Sequence, residues 1–200
     1  MAKLALNKSS LSREKQRRSS YERYLPSLEM KQKQLLAERK KAQQILAEHE
    51  TRIESVEADI ARRLPMLTVQ SIDLTDLVRV EDVHLDEENL LGTKLPRLQA
   101  VSCVVAEFGL LARPHWFDDT AMALQEVVRL KLERQVMRIR VARLEAAART
   151  ITQRVNLFSK VLIPEATENI KRIGLFLSDQ ERAGVVRSKL AKQKNRKVQQ

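Results

Sequence analysis

The chain has 200 residues, of which 32% are charged, 4% are aromatic and four are glycine, and its formal net charge is +11. Few aromatic and many charged residues are typical of exposed helices with one apolar stripe each, and they argue against a compact enzyme core. The positive charge favours an acidic partner, which could be nucleic acid, an anionic membrane face or an acidic protein surface.

The first predicted element is a long helix. Serines 9, 10 and 12 are candidate N-caps, and Pro65 disfavours helical geometry in the residue before it, so the helix is expected to end at Leu64. From Leu25 to Arg63, apolar residues recur in alternating steps of three and four, the repeat of a coiled coil. The expected seam of this helix includes Leu28, Leu35, Leu46, Ile53, Val56 and Ile60.

The middle of the chain breaks this rhythm. Residues 77–85 and 98–106 are rich in β-branched side chains and read as two short strands. The segment between them, residues 86–96, is predicted to be a long loop. The sequence therefore predicts a β-hairpin at about residues 77–106, within a central head of residues 65–117.

A second long helix is predicted after Phe117, with Asp118 or Asp119 as its cap and an end near Lys192 or beyond. Pro164 is expected to interrupt it, and the apolar stripe continues in a new register at Ala166, Ile170, Ile173 and Leu177. Its heptad repeat is nearly all apolar, and the expected seam includes Leu130, Met137, Val141, Leu144, Ile151, Val155, Phe158 and Leu162.

These elements together predict a mainly α fold: a long antiparallel two-helix coiled-coil hairpin with a short β-hairpin head in the middle of the chain. The expected domains are residues 1–64 for the N-terminal helix, 65–117 for the head, and 118–200 for the C-terminal helix with a basic tail.

Charge is distributed unevenly along the chain. Residues 1–41 contain twelve Lys or Arg and four acids, and residues 185–200 contain six basic residues and no acid, whereas residues 73–88 contain seven acids and one arginine. In an antiparallel hairpin both basic ends lie at one tip. We therefore expect a basic tip that contacts a partner through Arg13, Lys15, Arg17, Arg18, Arg182, Arg187 and Lys189.

No catalytic, cofactor-binding or metal site is predicted. His49, His84 and His115 lie far apart without Cys or carboxylate neighbours at ligand spacing. Cys103 is the single cysteine, which excludes an internal disulfide and suggests a reducing compartment. The N-terminus lacks the apolar stretch of a secretion signal, and the longest apolar run is too short to span a membrane. These features predict a cytoplasmic chain.

Three segments are similar to those of a known family: Arg154–Pro164 with the following Glu168–Ile173 and Asp179–Arg182, the hairpin segment Asn89–Pro96, and Leu28–Leu36. On these segments the chain resembles the D-subunit family of the vacuolar- and archaeal-type rotary ATPases. Its start at Asn7–Ser10 and its Leu25-Pro26 pair depart from the family pattern, and suggest a divergent bacterial branch.

The resemblance implies a non-catalytic central shaft that binds no nucleotide, cofactor or nucleic acid. Its partners would be a hexamer of catalytic A and non-catalytic B subunits, the F subunit alongside, and a funnel-shaped subunit that leads to the ion-carrying membrane ring. The shaft would transmit torque between ATP hydrolysis or synthesis and ion transport, peripheral to the membrane.

The residues alone leave two other functions open. A basic helical hairpin could bind nucleic acid, as the arm of some tRNA synthetases does, although the acidic middle and the scarcity of stacking aromatics argue against it. A passive coiled-coil scaffold that associates through its seams is the other alternative.

Overall fold

The computed structural model describes residues 4–68, 74, 77–106 and 116–198. Helix α1 spans Lys8–Arg63 and is followed by a 3-10 turn at Pro65–Thr68. Strands β1, Val78–Leu90, and β2, Thr93–Val105, form a two-stranded antiparallel sheet. Helix α2 spans Phe117–Leu157, a π-helical turn covers Phe158–Leu162, and helix α3 runs from Ile163 to Val198. The predicted fold class is confirmed.

The helix starts differ from the predicted caps by a few residues. Asn7 caps α1, since its side-chain oxygen accepts a hydrogen bond of 2.7 Å from the backbone N–H of Ser10. The prediction of a serine cap was therefore wrong. Helix α2 begins at Phe117, so Asp118 and Asp119 lie in its first turn and not at the cap position. There, their negative charges interact favourably with the helix dipole.

The prediction of a long loop between the two strands was also wrong. The strands continue to a two-residue turn, and Leu90 lies directly opposite Thr93. Leu91 and Gly92 both have positive φ, 53° and 80°, as a tight turn between twisted strands requires. Asn89 and Gly92 suggested a loop, but only Leu91 and Gly92 form the turn, and Asn89 belongs to β1, whose side chains are mostly exposed.

The second long helix continues past Pro164 without a break, because one π-helical turn lies just before the proline. The Ile163 N–H bonds to the Phe158 carbonyl, five residues earlier, so one extra residue is accommodated just before the proline. Continued past Leu162, the heptad rhythm would reach Glu165 and Arg172, whereas the buried residues are Ala166 and Ile173, each one residue later. The extra residue thus explains the predicted change of register.

The chain divides into two compact units. The first unit contains the chain up to Gln32 and from Thr150 onward, and the second contains Lys33–Arg149 with the hairpin. In each unit a stretch of α1 runs antiparallel to a stretch of the second long helix, as the cross-helix contacts described below establish.

Candidate partner-binding surfaces

The seam of the second unit is formed by apolar side chains, with leucine and isoleucine at its most buried positions. Leu35, Ile53, Leu130 and Leu144 are buried, and Leu46, Val56, Ile60, Met137 and Val141 are half-buried. Ion pairs flank it: Glu50 with Arg138 at 2.7 Å and Glu57 with Lys131 at 2.9 Å. As the residue number rises on α1 it falls on α2, so the two helices are antiparallel.

The first unit shows the same arrangement. Ile151 is buried, and Leu28, Val155, Phe158 and Leu162 are half-buried. The Gln32 side-chain amide donates to the Thr152 hydroxyl at 2.9 Å, and the rings of Tyr21 and Phe158 meet edge to face with centroids 5.4 Å apart. These two contacts again run in opposite directions along the two helices.

Polar groups also enter the seam of the second unit. The Nε atoms of Arg39 and Arg134 and the Nδ1 atom of His49 are buried, and none has a hydrogen-bond partner among the described residues. His49 Nδ1 lies 3.8 Å from the carboxylate of Glu133. A buried polar atom without a hydrogen bond costs about 1–3 kcal/mol, so these positions weaken the seam relative to an all-apolar one.

The hairpin is attached to α2 at its base and at its turn. At the base, Leu77, Phe117 and Ala121 form a buried cluster against which Trp116 packs. Near the turn, Arg140 pairs with Glu88 at 2.7 Å, and Arg143 donates to the Lys94 carbonyl at 2.9 Å. Sequence reasoning gave neither arginine this role, because it placed Glu88 and Lys94 in a loop.

The seven basic residues expected at the tip all lie in the first unit. Arg13, Lys15, Arg17, Arg182, Arg187 and Lys189 are exposed and Arg18 is half-buried. Arg17 pairs with the buried Glu14 and Arg18 with Glu22, both at 2.8 Å, while Arg187 donates to the Ala183 carbonyl at 3.2 Å. Arg13, Lys15, Arg182 and Lys189 form no ion pair with any described residue.

Helices α1 and α3 place the seven basic residues at different positions along the axis of the coil. Because Tyr21 lies against Phe158, Arg13 is opposite about residue 166, and Arg182 follows about 24 Å further along α3 at 1.5 Å per residue. Ile173 is the last buried residue of α3, and residues 179–195 are exposed except for a half-buried Gly184. Arg182, Arg187 and Lys189 thus lie on a single-helix extension, residues 179–198, beyond the paired part of the coil.

The described part of the chain offers no cluster of three or more His, Cys, Asp or Glu residues that could hold a metal ion. Among these residues, too, no helix is both long and apolar enough to cross a membrane. His115, Asp73 and Asp76, which the sequence analysis covered, lie outside the described residues.

Comparison with known proteins gives one consistent result. A family model described as the D subunit of ATP synthase matches residues 10–193. The V-type ATP synthase D subunit of Borreliella burgdorferi is 30% identical over 192 residues, which are 96% of this chain and 95% of that protein. The chain belongs to the ATP synthase D-subunit family.

Other bacterial members of the ATP synthase D-subunit family are similar over nearly their whole length. The V-type ATP synthase D subunit of Chlamydia pneumoniae is 36% identical over 194 residues, covering 94% of this chain and 91% of the relative. That of Chlamydia trachomatis is 33% identical over 198 residues, covering 96% of each. The matched region includes both long helices and the hairpin, so the resemblance inferred from the sequence segments is confirmed.

Proposed function

We propose that this chain is the central rotor subunit of a V-type ATP synthase. It would transmit torque between ATP turnover in a hexamer of A and B subunits and an ion-carrying ring in the membrane. The observation that carries this proposal is the family match over residues 10–193, together with relatives named as D subunits of V-type ATP synthases that align from end to end. The nucleotide chemistry is assigned to the A subunits, and this chain contributes no catalytic residue.

The packing within each unit supports a mechanical role. A torque-bearing element must resist twisting, and two helices joined by interdigitating seam residues resist it better than one helix does. The seams include fully packed positions such as Leu35 and Leu144, each 1% exposed. Ion pairs that cross between α1 and α2, such as Glu50–Arg138, flank the seam in the second unit.

The basic residues of the first unit support a sliding contact with the hexamer. Exposed charge pairs contribute only about 0–1 kcal/mol each, so contacts made by cations such as Arg13 and Lys189 can break and re-form as the rotor turns. A tightly packed apolar contact at the same place would oppose rotation. We assign Arg13, Lys15, Arg17, Arg18, Arg182, Arg187 and Lys189 to this bearing, with the first four on the paired coil and the last three on the single-helix extension.

The remaining partners follow from the same proposal. The F subunit would bind alongside the coil, and the funnel-shaped subunit would receive the head end of the chain. The chain would lie at the cytoplasmic side of the membrane as a peripheral part of the complex. An apolar groove of about 290 Å³ near Leu64, Leu74 and Leu124 supports a protein contact at the head end.

Affinity purification of the tagged full-length chain from its native host tests the proposal. We expect the A, B and F subunits to be identified by mass spectrometry in the eluate, together with ATPase activity. Recovery of the chain with RNA and without any of the ATPase subunits would support the nucleic-acid alternative. Recovery of the chain alone as a concentration-dependent oligomer would support the scaffold, and either result would contradict the rotor.

A further inference from the structure

Helix α2 has a second heptad stripe on the side away from α1. Its positions follow one another in alternating steps of three and four, and each lies two residues before a seam position, as Ile139 does before Val141. Two residues correspond to about 200° around a helix, so the stripe points away from α1. We call it the outer stripe, and it consists of Gln125, Val128, Leu132, Gln135, Ile139 and Ala142.

The outer stripe contains no charged residue, although 32% of the chain is charged. The stripe at the same offset on α1 contains Lys33, Lys40 and Glu54, as is usual for a face in contact with water. The first three residues of the outer stripe are half-buried and the last three are exposed, Ile139 at 40%. Heptad spacing without charge is the pattern of a face that packs against another helix.

The two ends of the outer stripe have charges of opposite sign. Towards the N-terminus the same spacing passes Ala121, which is buried at the hairpin base, and reaches Asp118, whereas towards the C-terminus it passes Ala146 and reaches Arg149. Asp118 is exposed and has no ion pair with a described residue, and the Arg149 side chain is 73% exposed and 3.9 Å from Glu145. These charges favour a helix that places a base beside Asp118 and an acid beside Arg149.

A second copy of this chain meets both conditions. In one antiparallel register, each residue of the outer stripe faces a residue of the same stripe in the other copy. The facing pairs are Gln125 with Ala142, Val128 with Ile139, and Leu132 with Gln135. The same register places Asp118 of each copy opposite Arg149 of the other, so an ion pair can form at both ends. Every contact occurs twice, as a two-fold symmetric dimer requires.

The cations beside the outer stripe do not oppose this pairing. Lys131 of one copy would lie near Arg138 of the other. Each of these cations already has an ion pair with α1 of its own copy, Lys131 with Glu57 at 2.9 Å and Arg138 with Glu50 at 2.7 Å. Their charges are therefore compensated within each copy.

We propose that the chain, when it is not assembled with other subunits, forms an antiparallel homodimer through the outer stripe. Since only one copy can lie on the axis of a rotor, the dimer is the state of the chain before assembly. The inference does not depend on the rotor function, because it concerns the purified chain by itself. It also differs from association through the seam, which α1 already occupies.

Disulfide formation between two single-cysteine variants of the full-length chain tests the register. In the Cys103→Ser background, Q125C and A142C are purified separately, mixed and oxidised. We expect a covalent dimer in the mixture and little in either variant alone, because identical positions lie about 26 Å apart in the antiparallel register. Cross-linking of each variant with itself would indicate a parallel pair. That result, or no covalent dimer in the mixture, would overturn the proposal.

Sedimentation equilibrium of the full-length chain tests the surface. We expect a monomer–dimer equilibrium that shifts to monomer on dilution, because the interface is short. I139K places a lysine in two layers of the interface and should weaken the dimer about tenfold or more. I45K is the matched control, since Ile45 is also 40% exposed but lies on α1. A monomer at every concentration, or equal weakening by I139K and I45K, would overturn the proposal.

Exchange of the end charges tests the orientation of the two copies. D118R alone should weaken the dimer, because it places two arginines opposite each other at both ends. D118R/R149D should recover most of the lost affinity, since the ion pairs form again with their signs exchanged. Affinity as low in D118R/R149D as in D118R would contradict the antiparallel register.

Discussion

Two glycines lie in opposite backbone environments. Gly92 has φ of 80° in the hairpin turn, a conformation that a residue with a Cβ rarely adopts. Gly174 is helical in α3, and a Cβ added there would meet nothing within 4 Å. Two single replacements by alanine therefore report different effects: the one at Gly92 reports backbone strain, and the one at Gly174 reports helix propensity.

We expect Gly92→Ala to destabilise the hairpin by about 1–2 kcal/mol and Gly174→Ala to stabilise the chain by up to about 1 kcal/mol. Urea unfolding followed by the fluorescence of Trp116, which packs at the hairpin base, reports the first change, and circular dichroism reports the second. A stabilising Gly92→Ala would contradict the assigned turn.

Burial predicts a second contrast between single residues. Leu144 is 1% exposed on the seam and Leu190 is 58% exposed on the extension. Leu144→Ala should cost about 2–5 kcal/mol through lost contacts and a cavity. Leu190→Ala should change the free energy of unfolding by less than about 0.5 kcal/mol, as for ordinary surface positions. Comparable losses at both sites in thermal unfolding would show that the extension is packed against the rest of the chain.

At the scale of elements, the π turn keeps the two parts of the second long helix in register with α1. Deleting Lys160, an exposed residue of the turn, in a Pro164→Ala background would convert it to regular α-helix and leave Ala166 and Ile173 on the seam. We expect the free energy of unfolding of this variant to lie within about 1 kcal/mol of that of its Pro164→Ala parent, because no seam residue is displaced.

The control is deletion of Ala142, an exposed residue of α2, in the same background. That deletion rotates Leu144, Ala148 and Ile151 by about 100° away from the seam, so a loss of several kcal/mol is expected in urea unfolding. If the Lys160 deletion were as damaging as the Ala142 deletion, the π turn would not be the source of the register change.

The elements also show where sequence reasoning succeeded and where it failed. Heptad spacing predicted the two helices and the change of register after Leu162, because a repeated apolar pattern reflects burial along the whole helix. The hairpin loop was misjudged because β1 is an exposed strand, so its sequence carries little apolar alternation. The roles of Arg140 and Arg143 could not be predicted, since they depend on where the hairpin folds onto α2.

At the scale of the whole molecule, the extension of α3 is separable from folding. Residues 179–195 are exposed apart from the half-buried Gly184. A chain ending at Ser178 should therefore lose only the helical signal of the removed residues and unfold within a few degrees of the full chain. If the extension is part of the bearing, the truncated chain should assemble with the A and B subunits but lower ATPase turnover or coupling.

A full-length variant isolates the contribution of charge. Arg182→Gln with Lys189→Gln should reproduce part of the truncation's loss of activity without changing stability, because neither side chain has an ion-pair partner among described residues. A four-fold variant extends the test to both the paired coil and the single-helix extension. It combines Arg17→Gln and Arg18→Gln with Arg187→Gln and Lys189→Gln. Full turnover and coupling in the four-fold variant would exclude the bearing.

Observation of rotation in single molecules tests the central claim most directly. The hexamer of A and B subunits is fixed to a surface in a complex containing this chain, and a bead is attached to the chain through an introduced cysteine near the hairpin turn, with Cys103→Ser as the background. The rotor account predicts continuous rotation in one direction that requires ATP and stops when hydrolysis is inhibited. ATP hydrolysis at a normal rate with a stationary bead would contradict it.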